Sequence, residues 1–133
     1  MVVDTSALIA VLRAEPEAEA MARSMVTAAT LRVSAANYVE AAAVIDGSRD
    51  PVASRRFDDL LEVLGVKIEQ VTVEQARIAR AAYRDFGRGS GHPARLNYGA
   101  CFAYALAKEL GEPLLFKGDD FGHTDVEPAT AQP

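Results

Sequence analysis

Four acidic residues stand where apolar segments of the chain end or are interrupted. Asp4 directly follows Met1-Val2-Val3, Glu40 lies in the apolar run ANYVEAAAVI, and Asp119 and Asp120 follow Pro-Leu-Leu-Phe. A carboxylate in apolar surroundings must be paired or must bind a metal. Converging carboxylates raise one another's pKa, and a hard divalent cation removes that conflict. Because oxygen-only ligation favours Mg²⁺ or Mn²⁺ over zinc, these acids are candidate ligands for one of those two ions.

Each of these acids also has a purely structural explanation. Asp4 could cap a helix, Glu40 could lie at a partly exposed helix edge, and Asp119-Asp120 could form a turn. The metal hypothesis therefore depends on convergence, which requires a fold that brings these separate segments to one place.

Other chemistries lack their sequence motifs. A haloacid-dehalogenase-like phosphatase needs Asp-x-Asp after its first strand, but the triplet here is Asp4-Thr5-Ser6, and the acidic pair of a response-regulator receiver is absent. The chain contains neither a P-loop nor a dinucleotide fingerprint. No Cys/His spacing indicates zinc, since the histidines are His92 and His123.

The elements that must position these acids alternate along the chain. Short apolar runs predict buried strands, and apolar residues at helical spacing between capping residues predict helices. The predicted strands cover about 1–3, 31–33, 66–71 and 113–116; the predicted helices cover about 6–13, 16–28, 35–47, 51–64, 73–86 and 97–110. This alternation favours an α/β layer structure with a mainly parallel sheet, in which sites form beyond the carboxyl ends of the strands.

Composition limits the classes of function. The chain has 133 residues, of which 50% are hydrophobic, and a net charge of −5, which argues against general salt-driven binding of nucleic acid. We expect a single domain over 1–133 with a frayed tail from about 127, no membrane span, and a cytoplasmic location. The lone Cys101 is expected to be a buried, inert thiol.

Four segments together resemble a PIN domain, and in particular the VapC ribonuclease toxins of toxin–antitoxin systems, with the mycobacterial type the most similar. They are MVVDTSALIAVL at the start, ANYVEAAAVI around Glu40, LNYG-CFAYALAK, and PLLFKGDDFGHTDV near the end. Each segment alone is weak evidence, but all four in this order in a chain of this length are specific.

The resemblance implies a three-layer α/β fold with a mainly parallel central sheet flanked by helices. It also implies a Mg²⁺- or Mn²⁺-dependent endoribonuclease that cleaves structured RNA such as tRNA or rRNA, is usually a homodimer, and is neutralised by a VapB-type antitoxin. The family's first acid matches Asp4, its second matches Glu40, and its last falls on Asp120, with Asp119 as an additional or outer ligand. Ser6 matches a hydroxyl position that supports the first acid.

The chain departs from the family pattern at the start of its last long helix. The resemblance places a third acid directly after the glycine of the LNYG segment, and that residue here is Ala100. Two explanations stay open: a deliberate inactivating substitution, which we favour because the rest of the pattern survives, or a natural loss. Either predicts an intact fold with weak metal binding and little cleavage.

Two further predictions concern partners. Arg84, Arg88 and Arg95 surround a glycine-rich segment just before the LNYG helix and are candidate contacts for RNA phosphates, although they could equally be a solvated helix end and loop. If the chain is not an enzyme, the alternative is an RNA- or antitoxin-binding PIN-like module.

Overall fold

The computed structural model describes residues 1–129, and its centre is a four-stranded sheet. The strands are β1 (Val2–Val3), β2 (Arg32–Ser34), β3 (Lys67–Glu69) and β4 (Leu114–Leu115), in the order β3-β2-β1-β4. Each neighbouring pair is parallel, and Val2 of β1 lies opposite Arg32 on one side and Leu114 on the other. The prediction of a parallel α/β fold is confirmed.

Six α-helices connect and cover these strands. They are α1 (Thr5–Leu12), α2 (Ala18–Thr27), α3 (Ala35–Asp46), α4 (Pro51–Leu64), α5 (Val73–Phe86) and α6 (Tyr98–Leu110). Side-chain caps begin five of them, at Asp4, Ser34, Asp50, Thr72 and Asn97. Within residues 1–129, no helix is long and apolar enough to cross a membrane.

Successive strand residues face opposite sides of the sheet, which produces three layers. Val2 and Leu114 belong to one buried cluster with residues of α5 and α6, while Val3 and Leu115 belong to a second with residues of α1 to α4. Both faces of the sheet are thus covered by helices, as expected for an all-parallel sheet.

The strand order creates a switch point at β1. The chain adds β2 and then β3 on one side of β1, and β4 later pairs with the opposite side. In parallel sheets, ligands bind outside the carboxyl ends of the strands at such a point. Asp4 follows β1 directly, and the Lys117–Asp120 segment follows β4, so both lie at this edge.

The structure corrects three details of the sequence prediction. Helix α2 begins at Ala18, two residues after the predicted start at Pro16, and Lys117 Nζ lies 3.1 and 3.3 Å from the Glu15 and Glu17 carboxylates in the preceding turn. Strand β3 is shorter than predicted, and a 3₁₀ helix at Asp120–His123 was not foreseen.

The predicted tail is also partly ordered. Leu114 N donates to Glu127 O at 2.8 Å, and Ala129 N donates to Leu114 O at 2.8 Å, so residues 127–129 lie along β4 and are not frayed. Residues 130–133 of that prediction lie outside the described part of the chain.

Candidate metal centre at the sheet edge

Asp4 occupies the point where β1 passes into α1. Its side chain is only 6% exposed, and Oδ2 accepts a hydrogen bond from Ser6 N at 3.0 Å, so Asp4 is the N-cap of α1. Burial raises the pKa of this carboxyl above its ordinary value; hydrogen bonds from Ser6 oppose the rise, and the nearby charge of Glu40 adds to it. A cap needs no such burial, so the cap explanation alone does not account for Asp4.

Ser6 joins this site to the neighbouring strand. Its Oγ accepts a hydrogen bond from Lys117 N at 3.0 Å, just beyond β4. Asp4 N donates to Leu115 O at 2.9 Å, so the ends of β1 and β4 are held together on both sides of the acid. Ser6 thus fixes the segment that leads to Asp119 and Asp120.

Glu40 reaches the same place from the second turn of α3. Its Oε1 accepts hydrogen bonds from Thr5 Oγ1 at 2.5 Å and from Asn37 Nδ2 at 3.4 Å. The first of these bonds is the shorter. Because Thr5 follows Asp4, this bond brings the two predicted acids together.

The first turn of α6 packs directly against the Glu40 carboxylate. A Cβ placed on Gly99 would lie 2.0 Å from Glu40 Oε2, so only a residue without a side chain leaves the carboxylate room. Ala100 follows, 8% exposed, and its N–H donates to the Asn97 cap at 2.8 Å. Position 100 therefore directly follows the residue that packs against Glu40, and its side chain is a methyl group that belongs to the buried cluster with α5 and α6.

Asp119 and Asp120 lie further out at the same edge. Both are exposed, at the start of the 3₁₀ helix beyond β4. Across residues 1–129, no group of three or more His, Cys, Asp or Glu side chains is arranged to hold a metal ion. The structure thus brings Asp4 and Glu40 together, while the roles of Asp119 and Asp120 stay predictions.

The carboxylates of Asp4 and Glu40 are suited to bind one divalent cation as two of its ligands. A buried Asp4 carboxylate beside a second carboxylate is an arrangement whose repulsion a cation relieves. Mg²⁺ is commonly held by one or two carboxylates, with water and substrate phosphates completing its shell. Asp4 and Glu40 can supply that pair, and a methyl group occupies position 100 where the family resemblance expects another carboxylate.

The predicted RNA-contact arginines form a separate group. Gly87 and Leu96 form a parallel bridge at the two ends of the glycine-rich segment, and Arg88 and Arg95, which lie inside these ends, are both exposed. Within residues 1–129 neither forms an ion pair, whereas Arg84 Nε is bound to Asp85 Oδ1 at 2.9 Å. The charge of Arg84 is thus already partly compensated, unlike that of the other two.

A family model for the PIN domain matches residues 1–127. The chain belongs to the PIN-domain family. Ribonuclease VapC28 of Mycobacterium tuberculosis is 57% identical over 129 residues, which cover 97% of each chain.

Solved structures agree on the PIN fold. The toxin VapC20 of Mycobacterium tuberculosis, described as a Sarcin-Ricin loop cleaving toxin, matches with a TM-score of 0.74 at 15% identity over 96% of this chain and 97% of the other. A toxin–antitoxin complex from Klebsiella pneumoniae matches with a TM-score of 0.67 at 17% identity, covering 90% and 88%. At these identities the likeness concerns the fold alone.

Three residues of this PIN-domain site were missed by sequence reasoning: Thr5, Asn37 and Gly99. A signal for Asn37 existed, since it stands one helical turn before Glu40 in an apolar helix, where asparagine is unfavourable without a partner. Gly99 had a weaker signal, as a glycine inside a predicted helix. Thr5 had none, because a hydroxyl at a helix start is ordinary.

Proposed function

We propose that this fold is that of a Mg²⁺- or Mn²⁺-dependent endoribonuclease toxin of the VapC type, acting on structured RNA such as tRNA or rRNA. The observation that carries the proposal is the convergence of buried Asp4, Glu40 and the start of α6 at the switch point of the sheet. The ribonuclease names of relatives as similar as 57% identity support the same reaction.

The residues have distinct tasks in this proposal. Asp4 and Glu40 would hold the cation, Asp120 would complete the set when RNA is bound, and Asp119 would act as an outer ligand. When bound, the cation would supply Lewis-acid stabilisation of phosphate charge and activation of water. Ser6 keeps the β4 end in place, and Arg88 and Arg95 would contact RNA phosphates, with Arg84 as a weaker candidate because Asp85 engages it.

Ala100 determines how active this chain is. A methyl group at position 100 neither binds a cation nor orients water, so we propose that the chain has little or no nuclease activity as it stands. An aspartate here would lie in the first turn of α6, where a helix favours negative charge.

The decisive experiment restores that carboxylate. Ala100→Asp, the matched Ala100→Asn and the unmodified chain are incubated with total cellular RNA, with Mg²⁺ or with EDTA. We expect Mg²⁺-dependent cleavage by Ala100→Asp alone, and its loss when Glu40→Gln is added. Absence of cleavage of any RNA by Ala100→Asp would contradict the proposed activity.

We further propose that the chain forms a homodimer in the cytoplasm and is bound by a VapB-type antitoxin. The VapC names of its relatives support such a partner. Co-expression with the small open reading frame beside its gene, followed by size-exclusion chromatography, tests both points. A monomer that captures no such product would contradict them.

A second candidate function is a non-enzymatic PIN-like module that binds RNA or antitoxin. Alanine at position 100, where the family resemblance expects an acid, favours it. It predicts that the unmodified chain and Ala100→Asp bind partner equally well and that neither cleaves RNA.

A further inference from the structure

Two side chains outside the predicted ligand set hold the carboxylate of Glu40. Thr5 Oγ1 and Asn37 Nδ2 both donate to Oε1, at 2.5 and 3.4 Å, while Oε2 faces the open side of Gly99. Both donors bind Oε1, and the Gly99 backbone packs against Oε2. The carboxylate therefore has one preferred orientation.

Asn37 is not explained by packing. Its side chain is 0% exposed, and Nδ2 also donates to Gly99 O at 2.9 Å. Since both neighbours are acceptors, the amide must present its NH₂ group to them, and Oδ1 is left without a partner among the described residues. An unpartnered buried carbonyl costs free energy, and leucine would fill a similar volume without that cost.

The two donors link all three positions around the candidate metal centre. Thr5 adjoins Asp4 in the chain, both donors meet Glu40, and the second bond of Asn37 ends on Gly99, the residue before position 100. The Thr5 hydroxyl also lies 3.4 Å from Asn37 O, so α1 and α3 are joined at the same point.

We propose that Thr5 and Asn37 are positioning residues of the nuclease: they fix the Glu40 carboxylate relative to Asp4 and to position 100. This inference rests on the proposed function. Partners that orient ligands in this way typically contribute about 10–100-fold to activity when they are removed.

The test uses the Ala100→Asp chain. Thr5→Val removes the hydroxyl at nearly constant shape, Thr5→Ser retains it, and Asn37→Leu removes the amide donor. We expect kcat to fall about 10–100-fold in Thr5→Val and Asn37→Leu, with KM changed by less than about twofold and most activity retained in Thr5→Ser. Thr27→Val is the matched control, because that exposed hydroxyl donates to Arg23 O at 3.0 Å within α2.

A second readout does not need nuclease activity. In the unmodified chain, the bonds to Oε1 should hold the Glu40 side chain in one rotamer, and the three-bond NMR couplings between its Cβ and Cγ protons report whether one rotamer dominates. We expect these couplings to move toward averaged values in Thr5→Val and to stay unchanged in Thr5→Ser and Thr27→Val. Because the NMR comparison uses only variants of Thr5 and Thr27, it still tests the proposal if Asn37→Leu fails to fold.

The outcomes separate the two proposals. An inactive Ala100→Asp chain would reject the proposed function, and the NMR arm would then decide alone whether Thr5 and Asn37 fix Glu40. An active Ala100→Asp chain in which Thr5→Val keeps its full kcat would overturn the positioning role. Equal losses in Thr5→Val and Thr5→Ser that follow melting temperature would overturn it as well, because they indicate a purely structural effect.

Discussion

The most direct perturbation of the site is the addition of one methyl group at Gly99. Gly99 lies in the first turn of α6, and its α-carbon faces the Glu40 carboxylate. In Gly99→Ala, the new Cβ would lie 2.0 Å from Oε2, 2.6 Å from Cδ and 2.7 Å from Oε1. Since the whole carboxyl group is in the way, a small rotation cannot relieve the overlap, and Glu40 must withdraw.

The size of that withdrawal follows from the contact distance. To turn the 2.0 Å approach into an ordinary contact of 3.4 Å, Oε2 must move by about 1.4 Å. A misplacement of about 1 Å in a catalytic site can cost about 100-fold in rate. We therefore expect Gly99→Ala to lower kcat of the Ala100→Asp chain at least about 100-fold.

Stability should change much less than activity. Alanine stabilises a helix interior over glycine by about 1 kcal/mol, which is an upper bound for Gly99 in the first turn of α6. The hydrogen bonds from Thr5 and Asn37 to Glu40 would weaken, at about 0.5–1.5 kcal/mol each. These effects oppose one another, so the free energy of unfolding should change by less than about 2 kcal/mol.

The assay compares Gly99→Ala with a glycine that has room. A Cβ on Gly122 meets nothing within 4 Å, so Gly122→Ala is the matched control. Initial rates of Mg²⁺-dependent RNA cleavage and urea unfolding curves are measured for both in the Ala100→Asp chain. If Gly99→Ala cleaved RNA as fast as its parent, the contact between Glu40 and α6 would be irrelevant to the reaction.

Three further predictions concern charge and reactivity. Without metal, Ala100→Asp should lower the free energy of unfolding by about 1 kcal/mol. The reason is that repulsion between the new carboxylate and Glu40 exceeds the benefit of about 0.3–1 kcal/mol from a negative charge at the helix N-terminus. Added Mg²⁺ should restore the melting temperature in a thermal melt. Burial raises the pKa of Asp4 above 3.8, so the stability that its protonated form confers is present at acid pH and is lost as pH rises through the native pKa. Asp4→Asn should therefore melt higher than its parent at pH 7 but not near pH 3.5, as scanning calorimetry at both pH values would check. Cys101 is 2% exposed and burial raises its pKa to about 11, so Ellman's reagent should label it at pH 8 only after denaturation.

Much of the fold could be predicted because local signals agree with the tertiary structure. Ser34, Thr72 and Asn97 were expected caps, and each accepts a backbone N–H at the start of its helix. Gly65 and Gly111 end α4 and α6 in the left-handed region, with φ of 63° and 65°, where glycine is favoured. Element boundaries were less accurate, since α2 begins two residues after Pro16 and β3 is shorter than predicted.

The candidate site could be predicted in its acids and in Ser6, but not in the other residues that contact those acids. Asp4 and Glu40 are conspicuous because charge is unusual in apolar segments, and the structure does bring them together. Asn37 and Gly99 are unusual inside helices, but the sequence does not say what they contact. Their relation to Glu40 exists only through contacts between α1, α3 and α6.

Gly99 is an unfavourable residue for helix α6, whereas Ala100 is a favourable one. Glycine costs this helix about 1 kcal/mol relative to alanine, yet its bare α-carbon makes room for Glu40. Ala100 is ideal for a helix and contributes nothing to the acids.

A site that had lost its function by gradual change would have no need for Gly99, for the donors on Glu40, or for a buried, unpartnered Asn37 carbonyl. We therefore propose that position 100 is the one altered position of the candidate site. One substitution, Ala100→Asp, should therefore suffice to produce Mg²⁺-dependent cleavage, and a requirement for a second change elsewhere in the site would contradict this reasoning.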